Sequence, residues 1–134
     1  MKKIQIFSDG GSRGNPGPGA IGFAIFENSE VIYKHGATIS VCTNNQAEYQ
    51  AVLDALLYVG KNIPDAQIEF FIDSELVVKQ LNGEYKVKNQ KLKPLFLKIR
   101  ESVIELGGSV TFAHVRREKN KLADSLVNKA LDEA

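Results

Sequence analysis

Alternation of apolar and polar residues dominates the first third of the chain. It runs through the stretches KKIQIFSD (2–9), AIGFAIF (20–26) and VIYKHGATISV (31–41). A period of two residues is typical of a β-strand with one buried face. The polar segment ENSE (27–30) separates the second stretch from the third and is typical of a hairpin turn. We therefore predict three consecutive antiparallel strands.

The rest of the chain mixes helical and strand patterns. Apolar residues recur at helical spacing after Thr43, and Thr43 with Gln46 three residues later fits a capping box at the helix start. The later stretches predict a buried strand, a helix capped by Ser74, a helix, a strand and a closing helix: 66–73, 75–81, 91–106, 109–115 and 120–134. Strands interleaved with helices after an antiparallel start predict an α/β fold, with a mixed sheet covered by helices.

Composition is that of an ordinary globular protein. The chain has 134 residues, 43% hydrophobic and 25% charged, which suits one domain over 1–134. A single cysteine excludes an internal disulfide, and no apolar run reaches the length of a membrane span, so we expect a cytoplasmic protein without membrane contact. The net charge of +1 gives no global argument for nucleic acid, although basic residues gather in 86–93 and 116–121.

Acidic residues stand where elements end or begin. Asp9 ends the first predicted strand, Asp73 ends the fourth, and Glu48 lies in the first turns of the first long helix. If those two strands are parallel neighbours, both aspartates open onto one crevice. Asp124, in the last helix, lies beside an apolar stripe, and any one of these acids alone could be an ordinary surface or structural residue. Together they predict a hard oxygen cluster for two divalent ions about 4 Å apart, which indicates phosphodiester chemistry.

The glycine-rich segment 10–19, which we expect to be a loop after the first strand, admits several interpretations. Its letters GPGAIG (17–22) match a dinucleotide-binding fingerprint, but a strand pattern follows where that motif needs a helix. A phosphate-binding P-loop is excluded because no Gly-Lys-Ser/Thr follows the glycines. Two alternatives remain: a tight turn with unusual backbone angles, or a close approach of this backbone to a ligand.

Four motifs, in order, carry a family resemblance. FSDGGSRGNPGPGAIGF (7–23), TNNQAEYQAVLDAL (43–56), FFIDSELVVKQLNGEYKVKN (70–89) and REKNKLADSLVNKAL (117–131) resemble those of type 1 ribonuclease H. The resemblance implies the ribonuclease H-like fold, a five-stranded mixed sheet flanked by helices. It also implies an endonuclease that hydrolyses the RNA strand of RNA/DNA hybrids with two Mg²⁺ ions, or Mn²⁺, leaving 5′-phosphate and 3′-hydroxyl ends. The implied catalytic metal ligands are Asp9, Glu48, Asp73 and Asp124.

The same resemblance suggests substrate-binding residues. Asn15, Asn44 and Asn45 match positions that read the minor groove and the RNA 2′-hydroxyls. Thr43 and Asn89 match a pocket for a DNA phosphate, although Thr43 also fits the helix cap and Asn89 fits a turn. Gly10 joins this set because the glycines would let the backbone lie beside the hybrid.

Two departures from the family pattern bear on activity. Many relatives have a loop histidine before the last helix, whereas here His114 falls in the predicted fifth strand, and Arg117, or else Glu118, stands nearest that position. The basic helix that some relatives use to grip substrate is missing between 83 and 86, which leaves the lysines of 86–93 as partial substitutes. Activity on duplex RNA is therefore open, and the alternative is a hybrid-binding or duplex-RNA-binding module with little turnover. In either case we expect a monomer.

Overall fold

The computed structural model describes residues 2–134, which form one five-stranded sheet and four helices. The strands are β1 (Lys2–Ser12), β2 (Gly17–Glu27), β3 (Glu30–Cys42), β4 (Ala66–Ile72) and β5 (Val110–His114). The helices are α1 (Asn44–Asn62), α2 (Glu75–Leu81), α3 (Lys93–Glu105) and α4 (Lys121–Asp132), with a short 3₁₀ turn at Arg117–Lys119. The predicted α/β fold with a five-stranded mixed sheet is confirmed.

The strand order places β1 at the centre of the sheet. The order is β3-β2-β1-β4-β5, with β1, β2 and β3 antiparallel and β1, β4 and β5 parallel. The parallel ladder between β1 and β4 ends at the pair Ser8 and Ile72. Asp9 and Asp73 are the next residues along the chain, so both carboxylates emerge at the same edge of the sheet, as the sequence predicted.

Helices cover the two faces of the sheet. A Cβ atom added at Gly10 would meet Ala47 of α1, whereas one added at Gly11 would lie 3.7 Å from Val127 of α4. Because successive strand residues point to opposite faces, α1 and α4 lie on opposite sides of β1. The α1 face holds the main hydrophobic core, which includes Ile99 of α3.

Both predicted helix caps are present. Thr43 Oγ1 accepts a hydrogen bond from the Gln46 N–H at 3.2 Å, and Gln46 Oε1 accepts one from the Thr43 N–H at 2.8 Å. This reciprocal pair is the capping box and satisfies two N–H groups at the start of α1. Ser74 Oγ accepts from the Val77 N–H at 3.3 Å and caps α2.

The glycine-rich segment is mostly strand, which corrects the sequence-based expectation of a loop over 10–19. β1 continues through Ser12 and β2 begins at Gly17, with Gly10 paired to Ile21. Asp9 therefore does not end β1; it is the first residue of β1 beyond the parallel pairing with β4. Glycine at position 10 is compatible with the strand because it allows the backbone of α1 to approach β1 closely.

The remaining differences are at element ends. α3 begins at Lys93, two residues later than predicted, with Pro94 in its first turn. The turn between β2 and β3 is confirmed, with both Asn28 and Ser29 at positive φ, as a type I′ hairpin turn requires. Within residues 2–134, no helix combines the length and the hydropathy needed to cross a bilayer.

Candidate active site

Three carboxylates from three elements meet at one edge of the sheet. Asp9 comes from β1, Glu48 from the second turn of α1, and Asp73 from the residue after β4. One carboxylate oxygen from each lies within 4.8 Å of the other two. The parallel register of β1 and β4 brings the aspartates side by side, and the packing of α1 against β1 adds the glutamate.

Glycine at position 10 makes the approach of Glu48 possible. A Cβ atom there would lie 2.2 Å from the carbonyl carbon and oxygen of Ala47, and 2.5 Å from the backbone nitrogen of Glu48. The Gly10 N–H donates to Glu48 Oε1 at 2.8 Å and to Asp9 Oδ1 at 3.0 Å. One backbone N–H thus holds two of the three acids in place.

Burial and the proximity of other carboxylates disturb the protonation of Asp9 and Glu48. Burial, with a further contribution from the charge of Asp73, raises the pKa of Asp9 from 3.8 to about 7. Burial and the negative charges of Asp9 and Asp73 raise the pKa of Glu48 well above its usual value. Clustered carboxylates that resist ionisation are stabilised by a cation, so the donor set fits a divalent metal ion, which prefers oxygen ligands.

The cluster lies in a polar cleft of about 460 Å³. Asp124 of α4 lines this cleft and helps to raise the pKa of Asp9, but its carboxylate lies outside the three-oxygen cluster. Of the predicted accessory and substrate-binding residues, those that also line the cleft are Gly10, Asn44, Asn45 and Arg117.

Four predicted residues lie outside the cleft lining. Thr43 is the α1 cap, and Asn15 accepts a hydrogen bond from the Asn44 N–H at 3.0 Å, so both adjoin the cleft. Asn89 is an exposed turn residue whose side chain accepts from the Lys91 N–H at 2.8 Å. His114 is the exposed last residue of β5, which confirms its prediction as a strand residue.

Two features of the site were missed from the sequence. Asn120, just before α4, is buried and donates to Asp73 Oδ2 at 3.2 Å. An asparagine before a helix is typical of a cap, so only its burial marks it as unusual. Arg13 lines the cleft and pairs with Asp132, 119 residues away in sequence. No local sequence pattern could indicate the contact between Arg13 and Asp132.

The raised pKa of Asp9 predicts how stability depends on pH. In the metal-free protein, the folded state holds this proton up to about pH 7, whereas the unfolded chain releases it near pH 3.8. The contribution of the protonated Asp9 carboxyl to stability is therefore fully present below pH 3.8, the pKa in the unfolded chain. It is lost as the pH rises through the folded-state pKa of about 7. The Asp9→Asn variant carries no charge at this position. Its free energy of unfolding, relative to that of wild type, should therefore rise by roughly 2 to 4 kcal/mol between pH 4 and pH 7.5.

Urea unfolding in EDTA at several pH values measures this difference. Asp65→Asn is the matched control, because Asp65 is an exposed turn residue with φ of 60°, a conformation that asparagine tolerates equally well. A stability difference between Asp9→Asn and wild type that does not change with pH would contradict the electrostatic account of the cluster.

Comparisons with known proteins agree with this geometry. A family model described as "Reverse transcriptase-like" matches residues 7–130. The chain is 38% identical to Ribonuclease HI of Halobacterium salinarum, covering 98% of this chain and 66% of that protein. It is 32% identical to Ribonuclease H of Ruthia magnifica subsp. Calyptogena magnifica, covering 98% of this chain and 97% of that protein.

Solved structures give the same result. RNase H1 from Halobacterium salinarum NRC-1 superposes with a TM-score of 0.93 at 38% identity, covering 98% of this chain and 99% of that one. LC11-RNase H1 in complex with an RNA/DNA hybrid superposes with a TM-score of 0.89 at 42% identity, covering 97% of each chain.

Coverage of the curated relatives varies. The chain spans about two thirds, 66%, of the Halobacterium salinarum protein and 36% of several mycobacterial relatives, but nearly all of the Ruthia magnifica protein. Together with the five-stranded mixed sheet and the acidic cluster at its edge, these matches show that the chain belongs to the type 1 ribonuclease H family.

Proposed function

We propose that this protein is a divalent-metal-dependent endonuclease that hydrolyses the RNA strand of RNA/DNA hybrids. The observation that carries the proposal is the cluster of Asp9, Glu48 and Asp73, whose oxygens lie within 4.8 Å of one another at the edge of the sheet. A binding module has no physical reason to gather carboxylates where a polyanion must dock. We also propose that residues 1–134 form a single ribonuclease H domain.

Asp9, Glu48, Asp73 and Asp124 would hold two Mg²⁺ ions, with Mn²⁺ as the alternative. When bound, such ions lower the pKa of water and stabilise the attacking and leaving oxygens, here giving 5′-phosphate and 3′-hydroxyl ends. The protein itself supplies the negatively charged ligands and holds them in fixed positions. Glu48 is fixed by the Gly10 N–H at 2.8 Å and would also orient the RNA 2′-hydroxyl or a water molecule.

We propose that amide groups recognise the minor groove. Asn44 Oδ1 accepts from the Ser12 N–H at 2.9 Å, and Asn15 Oδ1 accepts from the Asn44 N–H at 3.0 Å. Because backbone groups already use these oxygens, each amide would offer its two N–H donors to the substrate. Donors of this kind suit the oxygen of a 2′-hydroxyl, the group that distinguishes RNA from DNA. Asn45 would contact the minor groove beside Asn15 and Asn44.

The DNA strand would contact a second region. Thr43 Oγ1 accepts the cap hydrogen bond, and its O–H remains a donor for a phosphate, so the cap and the pocket are compatible. Asn89 would be its partner in the pocket. Exposed lysines next to Asn89 would supplement the grip on the backbone: Lys86, Lys88, Lys91 and Lys93.

Arg117 is the better candidate of the two accessory residues. It lines the cleft at the start of the 3₁₀ turn, whereas His114 is an exposed residue of β5. A guanidinium can hold a phosphate but cannot exchange a proton near neutral pH. We therefore propose an electrostatic role for Arg117.

The cytoplasmic location and the monomeric state stay predictions.

Strand-specific cleavage tests this function. Hybrids labelled on either the RNA or the DNA strand, together with duplex RNA and duplex DNA, are incubated with protein in Mg²⁺, Mn²⁺ or EDTA. We expect cleavage of the RNA strand of the hybrid in either metal and none in EDTA. Binding of the hybrid without cleavage in either metal would overturn the proposal in favour of the binding module.

A further inference from the structure

Asn120 has an unusual environment for a polar residue. It immediately precedes α4 and is only 1% exposed. Its Nδ2 group donates to the Ser8 carbonyl at 2.9 Å and to Asp73 Oδ2 at 3.2 Å. Its own carbonyl oxygen accepts from the Asp124 N–H at 3.1 Å. Asn120 therefore joins the β1 backbone next to Asp9, the carboxylate of Asp73 and the helix turn that carries Asp124.

The orientation of this amide follows from its neighbours. Rotating it by half a turn would place Oδ1 against a carbonyl oxygen and a carboxylate, both of which are acceptors. In the observed orientation both N–H bonds are used, and Oδ1 finds no hydrogen-bond partner among residues 2–134. An unpaired buried acceptor is unfavourable, so stability alone gives little reason for an amide at this position.

Helix capping does not explain Asn120 either. Asparagine is a favoured cap because its side chain can accept from the first N–H groups of the helix. Here the side chain makes no such bond to α4, and its donors turn instead to Ser8 and Asp73. The amide acts on the acidic cluster and not on its own helix.

We propose that Asn120 is a positioning residue for metal binding, which rests on the proposed function of the site. By holding Asp73 Oδ2 and the Ser8 carbonyl, it fixes the plane of the Asp73 carboxylate relative to Asp9. Its backbone carbonyl, which accepts from the Asp124 N–H, also fixes the first turn of α4 and therefore the position of Asp124. Groups that orient metal ligands in this way typically change metal affinity by about 10-fold to 100-fold when removed.

Metal affinity of the substrate-free protein is the direct test. Mn²⁺ binding is measured by electron paramagnetic resonance for wild type, Asn120→Ala and Asn120→Leu. The second variant keeps a side chain of similar size and removes the donor without adding a charge, so it serves even if the alanine variant fails to fold. We expect both variants to bind Mn²⁺ about 10-fold to 100-fold more weakly, with a matching rise in the Mn²⁺ concentration needed for half-maximal cleavage.

Val59→Ala separates positioning from loss of stability. Val59 is fully buried in the core cluster of α1, away from the cleft, so its truncation destabilises the fold without touching the acids. This control should keep the Mn²⁺ affinity of wild type. If wild type binds Mn²⁺ and cleaves hybrid while both Asn120 variants bind as Val59→Ala does, the positioning role is wrong. If wild type neither binds Mn²⁺ nor cleaves hybrid, the proposed function itself fails, and the role of Asn120 fails with it.

Discussion

Asp73→Asn should abolish cleavage of the hybrid while leaving the protein folded. The substitution is nearly isosteric and removes one charged oxygen ligand from the cluster with Asp9 and Glu48. An amide at position 73 can still place an oxygen against Asn120 Nδ2, so the hydrogen bond now measured at 3.2 Å survives. We expect a loss of at least about 10²-fold to 10³-fold in kcat, comparable to removal of a main electrostatic group in other active sites.

A matched substitution controls for the change in charge. Asp54→Asn also replaces an aspartate by its amide, at a position on α1 where the carboxylate accepts from Gln50 Nε2 at 2.7 Å. Single-turnover cleavage of end-labelled hybrid at saturating Mg²⁺ compares the variants. Asp54→Asn should cleave at the wild-type rate, and an Asp73→Asn variant that retains more than about a tenth of that rate would contradict the role of Asp73.

Gly10→Ala should damage both the fold and the site. The added methyl group would lie 2.2 Å from the Ala47 backbone and 2.5 Å from the Glu48 nitrogen, and backbone atoms cannot move aside as a flexible side chain can. Relief requires α1 to shift away from β1, which breaks the 2.8 Å hydrogen bond from the Gly10 N–H to Glu48. We expect destabilisation by about 3 kcal/mol or more and a large loss of cleavage.

Gly11→Ala is the control for this effect. Its methyl group would meet Val127 Cγ1 at 3.7 Å and Asn44 Oδ1 at 3.9 Å, both ordinary contact distances. Urea unfolding should therefore place Gly11→Ala within about 1 kcal/mol of wild type. If the two glycine variants lose equal stability, the close approach of α1 to β1 is not the reason for glycine at position 10.

Topology explains why much of the site could be predicted. Alternation and helical spacing predict the element order, and Thr43 with Gln46 carries a local cap signal that the structure confirms. Once β1 and β4 are parallel neighbours, geometry requires the residues after their ladder, Asp9 and Asp73, to meet. Asp124 had no such geometric signal: it was counted with the other acids, and only the family resemblance assigned it as a metal ligand.

The features missed from the sequence depend on long-range packing. Asn120 contacts the Ser8 carbonyl across 112 positions of sequence, so nothing near it in the chain indicates burial. The continuation of β1 through Gly10 and Ser12 was hidden because glycine disfavours strands unless another backbone comes close. That close approach, by Ala47, is a property of the folded protein alone.

The central claim is that the three clustered carboxylates hold divalent metal. Anomalous diffraction from crystals soaked in Mn²⁺ with bound hybrid tests it most directly, because Mn²⁺ scatters anomalously and competes for the same oxygen ligands as Mg²⁺. The account predicts anomalous density within coordination distance, about 2.0 to 2.6 Å, of oxygens of Asp9, Glu48 and Asp73. No peak at these residues, or a peak only at other carboxylates of the chain, would contradict it.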